Sequence, residues 1–318
     1  MVVAMGASLT LAACGSEDGE GAEASTEEGL VPVAIAETPG MPTHIVEFGI
    51  EQGFFEDAGL DATVTSIAGG SQQVTAAMAG EVQFTGGDVV SINTFLAQDM
   101  PLVVVGPGTA ASEEPEDDFS VVVVRDDSPI QEPEDLEGAS LATNELDNIT
   151  ALGVVGALDN LRLDTEALEF VEIPFPEMVA GVENGHVDAA TLIEPFATIA
   201  ISQGYRPVLH PFASWEPETQ IGISLTTQEY ASENPEVVEA FQAARLATAQ
   251  YVTENPDEFR SALLELGEFD EQVVQDMNLP LYREELDRES IERAAALMVD
   301  HGILDEVPDY EGHIDDGA

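Results

Sequence analysis

Two carboxylates stand out by type and position. Asp88 and Glu194 each end a unit of the same form: a helix, a glycine, a short apolar strand, then the acid. A carboxylate at the end of a buried strand has lost its water and needs a partner. It can accept hydrogen bonds from a ligand amino group, or form half of a general acid/base pair. Other chemistries find no support. The histidines, His44, His186, His210, His301 and His313, make no i, i+4 pair and no HExxH pattern, so no metal site is expected. There is no G-x-S-x-G turn for a nucleophilic serine. The residues therefore point to a binding protein, not an enzyme, with no cofactor. The alternative is a hydrolase that uses Asp88 and Glu194 as acid and base.

The units that carry these acids are legible in the chain. From Ile173 to Phe196, IPFPEMVAGVENGHVDAATLIEPF, prolines stop a strand and Met178, Val179 and Val182 fall at helical spacing. Asn184-Gly185 ends that helix, and an apolar run is cut off by Glu194-Pro195. From Gly69 to Asp88, GGSQQVTAAMAGEVQFTGGD repeats the pattern, with Gly80 and Gly185 in register 105 residues apart. Two α/β lobes of alike construction follow. Open α/β sheets bind ligands beyond the carboxyl ends of their strands, so Asp88 and Glu194 are expected to face each other across a cleft.

In chain order, strands are expected at 31–36, 60–67, 82–85 and 102–106, alternating with helices, the last two at 71–79 and 90–98. The parallel crossovers are expected to be right-handed. The polar, proline-bounded segment 107–118 is read as a first crossover between lobes. Strands at 120–125, 140–143, 168–173 and 187–193 follow, with helices at 132–137 and 148–161 and near 196–203; segment 211–218 then leads back to a strand at 220–225 and a helical tail. Lobe one is thus 30–110 plus 217–318, lobe two is 117–212, two crossovers make a hinge, and the tail packs on lobe one. The expected site gathers strand ends and helix starts: Met41, Pro42 and Thr43, Gly70 and Ser71, Asp88, Asn148 and Thr150, Glu194, and Trp215 in the second crossover. Thr43, Ser71 and Thr150 are equally well read as helix caps, and Trp215 as an aromatic buried in the hinge.

Composition bounds the partners. The chain holds 63 acids and eight Arg with no lysine, for a formal net charge of −55. Nucleic acid and anionic lipid are repelled by such a surface. Self-repulsion also destabilises the fold unless salt screens it, so the surface is read as adapted to high salt. At the N-terminus, thirteen small and apolar residues precede Cys14, the only cysteine. The run falls short of the roughly 20 residues that span a bilayer. Leu11-Ala12-Ala13-Cys14 resembles the lipobox of bacterial lipoproteins, which makes 1–13 a signal peptide, Cys14 the lipid attachment, and 14–29 a flexible acidic tether. No basic residue precedes the apolar run, as a signal peptide would have, so the native start is expected further upstream.

Several motifs together resemble one family. Met41-Pro42-Thr43-His44, Gln52 to Asp61 (QGFFEDAGLD), Gly69-Gly70-Ser71 and Ala79 to Phe84 (AGEVQF), then Ser128-Pro129-Ile130, Glu134 to Gly138, Gly185 to Ala190 and Glu194-Pro195-Phe196, are similar to those of the substrate-binding proteins of ABC importers for nitrate, sulfonates, taurine and thiamine pyrimidine precursors. The resemblance covers about 31–310. It implies a two-lobed type II periplasmic-binding-protein fold with two mixed sheets flanked by helices, a monomer that delivers a small ligand to an ABC permease, anchored by lipid at the outer face of the cytoplasmic membrane. The family also contains pyrimidine synthases with pyridoxal phosphate on a lysine; without lysine that chemistry is closed here. The chain departs from the family at Thr143 to Asn148, TNELDN, which replaces a Ser/Gly cluster suited to anions. No Arg falls in the expected site loops, and Asp88, Glu145, Asp147 and Glu194 would oppose an anion. A neutral or cationic, amino-bearing heterocycle is therefore favoured over nitrate, sulfonate or taurine.

Overall fold

The computed structural model describes residues 29–315. The expected signal segment, Cys14 and all but the last residue of the tether lie outside them. Twelve strands are present among the described residues: β1 Val31–Glu37, β2 Leu60–Ser66, β3 Phe84–Asp88, β4 Leu102–Pro107, β5 Thr109–Ala110, β6 Ser120–Val124, β7 Ser140–Thr143, β8 Glu169–Glu172, β9 Ala189–Ile193, β10 Arg206–Leu209, β11 Gly222–Thr227 and β12 Leu281–Tyr282. Two five-stranded mixed sheets carry the fold, in the orders β2-β1-β3-β11-β4 and β10-β6-β9-β7-β8. Read from its other edge, the second sheet repeats the first. Three parallel strands come first (β2, β1 and β3; β8, β7 and β9), then the strand that follows a crossing between sheets, antiparallel to its neighbours (β11; β6), then an outer strand. The twin units of the sequence end in the equivalent strands β3 and β9.

Continuous apolar runs explain the central strands. Ser120-Val-Val-Val-Val124 and Ala189-Ala-Thr-Leu-Ile193 are buried along their whole length, as strands covered on both faces must be. The helical tail wraps the first sheet. Helix Pro235–Glu254 lays Val238, Phe241 and Ala244 against it, and the Phe241 ring stacks on Phe84 of β3 with centroids 3.8 Å apart. Each such ring buried contributes about 1.5–3 kcal/mol. Helix Arg288–Asp300 packs on helix Ser91–Ala97, where Asn93 donates to the Ile291 carbonyl at 2.9 Å.

Some expected elements are corrected. The strand expected at 82–85 begins at Phe84 and runs through Gly86-Gly87 to Asp88. Glycines usually end a strand, but here two chains of atoms approach too closely for side chains: a Cβ on Gly87 would lie 2.7 Å from Leu225, and the Glu37 carboxylate fills the place of a Gly86 Cβ. The helix expected at 132–137 is a single 3₁₀ turn, Pro133–Leu136, capped by Glu132 and Asp135. Strand β10, the pair β5 and β12, helix Pro211–Trp215 inside the second crossover, and tail helices Gln228–Glu233 and Glu271–Asp276 go beyond the elements the sequence suggested.

Candidate interlobe binding site

At the carboxyl ends of both sheets lies a cavity of about 70 Å³. Asp88 at the end of β3 and Gly222 of β11 line it from the first sheet, with Pro42 and Gly70 at two helix starts. Glu145 after β7, with Asn148 and Thr150 at the start of helix Ile149–Asn160, line it from the second. No Arg, His or Lys is among its lining residues.

Asp88 is held from within its own unit. One carboxylate oxygen accepts from the amides of Val90 and Ser91, both at 2.9 Å, and the other accepts from the Ser91 hydroxyl at 2.6 Å. Burial pushes its pKa up, and the nearby Glu145 pushes the same way, against the pull of those hydrogen bonds. Glu145 reaches across to helix Gly70–Met78, whose N-terminus has no capping side chain of its own. It accepts from the Gly70 amide at 2.8 Å and the Ser71 amide at 3.1 Å, and also takes the Ser71 hydroxyl. Carboxylates bind there because the first amides of a helix have no partner inside the helix. Asn148 caps its own helix, its oxygen accepting from the Thr150 amide at 3.1 Å and hydroxyl at 2.7 Å, while its side-chain nitrogen donates to Asn144 at 2.9 Å.

The structure thus brings Pro42, Gly70, Asp88, Asn148 and Thr150 together around one cavity. Ser71 stands beside it, joined to Glu145. Four expected residues point elsewhere. Met41 is fully buried in the core behind the first sheet, and the Thr43 hydroxyl donates to the Thr38 carbonyl at 2.7 Å. The Trp215 indole covers Gly156, leaving no room there for a Cβ. Glu194 does not face Asp88. Its carboxylate accepts from the Thr198 amide at 3.1 Å and hydroxyl at 2.9 Å, and from the Asn278 amide at 3.2 Å. Burial raises its pKa to about 7. The reason is local: Glu194 precedes helix Phe196–Ser202, and its side chain turns onto that helix's first turn. The acid that approaches Asp88 is Glu145. Its only sequence signal was the TNELDN departure.

Among the described residues, no group of three or more His, Cys, Asp or Glu is arranged to hold a metal. No curated protein sequence matches the chain. Solved structures with the same fold include the alkanesulfonate-binding protein SsuA of Xanthomonas axonopodis pv. citri bound to MOPS, at 14% identity, covering 91% of this chain and 99% of that one with a TM-score of 0.75. The periplasmic aliphatic sulphonate binding protein SsuA of Escherichia coli follows at 16%, covering 89% and 97%, TM-score 0.69. The desulfurization enzyme DSZB also shares it, at 16%, covering 90% and 97%, TM-score 0.63. These likenesses establish the periplasmic-binding-protein fold. The family model described as NMT1/THI5 like matches residues 44–259, more than half of the sequence, and the chain belongs to that family.

Proposed function

We propose that this chain is the solute-binding lipoprotein of an ABC importer, taking a small neutral or cationic amino-bearing molecule, a pyrimidine-like heterocycle among them, into the interlobe cleft. The observation that carries the sign of the ligand charge is Glu145 on the Gly70 and Ser71 amides. Those amides are where an anionic solute would be held, and a carboxylate of the protein already fills the place. With Asp88 beside it and no basic lining residue, the cavity favours a hydrogen-bond donor. A cavity that takes a benzene ring measures about 150 Å³, and this one measures about 70 Å³. A ring-sized solute therefore requires the lobes, 30–110 with 217–318 and 117–212, to separate and Glu145 to release. Lipidation of Cys14 would hold the protein, as a monomer, at the outer face of the cytoplasmic membrane beside its permease.

A second reading is kept by DSZB, an enzyme on this fold: Asp88 and Glu194 as acid and base. The two acids do not line a common cavity, which weighs against it. Mass spectrometry of solute co-purified with the protein, followed by calorimetric titration of 4-aminopyrimidine and methanesulfonate, tests the proposal. Aminopyrimidine is expected to bind and methanesulfonate not. Tighter binding of methanesulfonate, or turnover of the co-purified solute by pure protein, would overturn it.

A further inference from the structure

A second hollow lies in the layer between the first sheet and helix Pro235–Glu254, outside the interlobe cavity. Strands β4 and β11 build its floor. Ser224 of β11 pairs with Gly86 of β3 on one side and with Gly106 of β4 on the other. Directly opposed residues on antiparallel strands share a face, so Gly106 and Ser224 leave this row low where the rows before it present large apolar side chains such as Phe84, while the Glu37 carboxylate fills the space over Gly86. A Cβ on Gly106 would meet nothing within 4 Å. The resulting cavity of about 510 Å³ is walled by Phe241, Leu246 and Leu286 and carries Arg245 from the helix and Arg283 from the segment beyond β12, with Glu284 and Glu285 exposed at its rim.

The polar groups at this place are incompletely paired. Arg245 has a single ion pair, to Glu37 at 3.5 Å, and none of its five N–H groups appears as a donor in a hydrogen bond among the described residues. Ser224 is 1% exposed, and its hydroxyl has no partner. The Tyr282 hydroxyl, within the field of Arg245 and Glu37, is likewise buried and unpartnered. Buried polar atoms are nearly always satisfied, so an orphan calls for an explanation. An orphan on Ser224 and an underused guanidinium on Arg245, both residues lining one hollow of ligand size, share one. Burial raises the Glu37 pKa to about 7 against the opposing pull of Arg245, so below that pH its carboxyl leaves the guanidinium charge largely uncompensated.

We propose that this hollow is a second small-molecule site, taking an organic monoanion: a carboxylate on a short apolar body. Arg245 receives the carboxylate, since its planar fork of donors matches two oxygens at once. Ser224 lies at the floor, and Phe241, Leu246 and Leu286 enclose the body. Glu284 and Glu285 at the rim disfavour a second negative charge. The site is independent of the interlobe cavity and of what that cavity binds.

Benzoate is the probe, with benzylamine as its cationic counterpart, titrated by calorimetry and by NMR at slightly acid pH. Gly106→Val fills the hollow from its floor without backbone strain, because Gly106 has no positive φ and an open Cβ direction. Arg245→Gln removes the charge and keeps the bulk. Benzoate is expected to bind the unmodified protein, and at least tenfold more weakly to either variant, while benzylamine fails to bind. Absence of benzoate binding, equal binding by the Gly106→Val variant at an unchanged melting temperature, or equal binding of benzylamine would overturn the assignment. If Gly106→Val does not fold, Arg245→Gln decides by the same criterion.

Discussion

The interlobe cavity and the hollow under helix Pro235–Glu254 share one strand, β11. Asp88 and Gly222, a ladder pair of β3 and β11, line the first; Ser224, two residues further along β11, lies at the floor of the second. Two residues of strand amount to about 7 Å. Yet one place is acidic and the other carries arginine. The strands do not decide this; the covering elements do. The loop after β7 brings Glu145 over the cavity, and helix Pro235–Glu254 brings Arg245 over the hollow. In a chain with 63 acids and eight Arg, an acid above a site is the common case. The arginine is the departure, and it is where a negative ligand can be held.

The largest effect expected concerns the charged surface that both places share. Raising salt from about 0.1 M to about 1 M shortens the Debye length from about 10 Å to about 3 Å. With a net charge of −55, the melting temperature is expected to rise steeply over that range. A flat profile would show that the acids are not a cost that salt relieves, and would remove the proposed adaptation to high salt.

The next effect is a dependence on pH, read at constant high salt. Glu37 beside Arg245, Asp118 in the first crossover and Glu194 all have pKa values raised by burial to about 7, from 4.5 for the two glutamates and 3.8 for the aspartate. Asp88 shifts in the same direction. Between the unfolded and folded values, the folded chain holds protons that the unfolded chain has released. Stability is therefore fully present below about 4 and is lost as pH rises towards about 7, with little further change above. Thermal melts across that window are expected to show a falling midpoint. A rising one would mean that these acids are paired as anions in the folded protein.

Glu145→Gln sharpens the contrast between the two places. It replaces a carboxylate on the Gly70 and Ser71 amides by a neutral amide, and a hydrogen bond to a charged group contributes about 1.5–3 kcal/mol. At 1.4 kcal/mol per decade, methanesulfonate is expected to gain roughly ten- to a hundredfold in affinity at the cavity as the competing carboxylate goes. Scattering should report a more open molecule. Benzoate binding at the hollow should not change; if it does, the two places are coupled, or benzoate lies in the cleft.

How far this was legible in the sequence depends on the range of each interaction. The twin units were visible because strand and helix periodicities are local, and Asp88 came with them, since its partners Val90 and Ser91 follow within three residues. Asn148 as a cap was open to the same reasoning, through Thr150. The meeting of Glu145 with Ser71 spans 74 residues and two sheets, and no spacing encodes it. The hollow was hidden for a different reason: Gly106 reads as the end of a strand entering a crossover, and only its pairing with Ser224 of β11 shows that it lies in a floor. For Glu194 the misleading feature was the analogy between the units. β9 does end as β3 does, but the acid after it precedes a helix start with a threonine four residues on, a local partner that the pattern Glu-Pro-Phe-Ala-Thr already contained.

Glu194→Gln tests that last distinction and carries the smallest effect. The carboxylate accepts three hydrogen bonds, from the Thr198 amide and hydroxyl and from the Asn278 amide. Asn278 in turn donates to the carbonyls of Glu116 and Asp118 in the first crossover, at 3.0 and 3.1 Å. Glutamine has one acceptor oxygen, so its NH₂ group must face a donor N–H on one side. An unsatisfied buried donor costs about 1–3 kcal/mol. Part of that is recovered, because at neutral pH the variant no longer buries a charge whose pKa burial has raised. The net expectation is a melting temperature lower by a few degrees, at roughly 2–4 °C per kcal/mol for a chain of this size. Affinity for 4-aminopyrimidine should stay within about threefold, since Glu194 does not line the cavity. A tenfold loss of affinity with an unchanged melting temperature would return Glu194 to the binding site. It would mean that in the solute-bound state the side chain leaves Thr198 and turns towards Asp88.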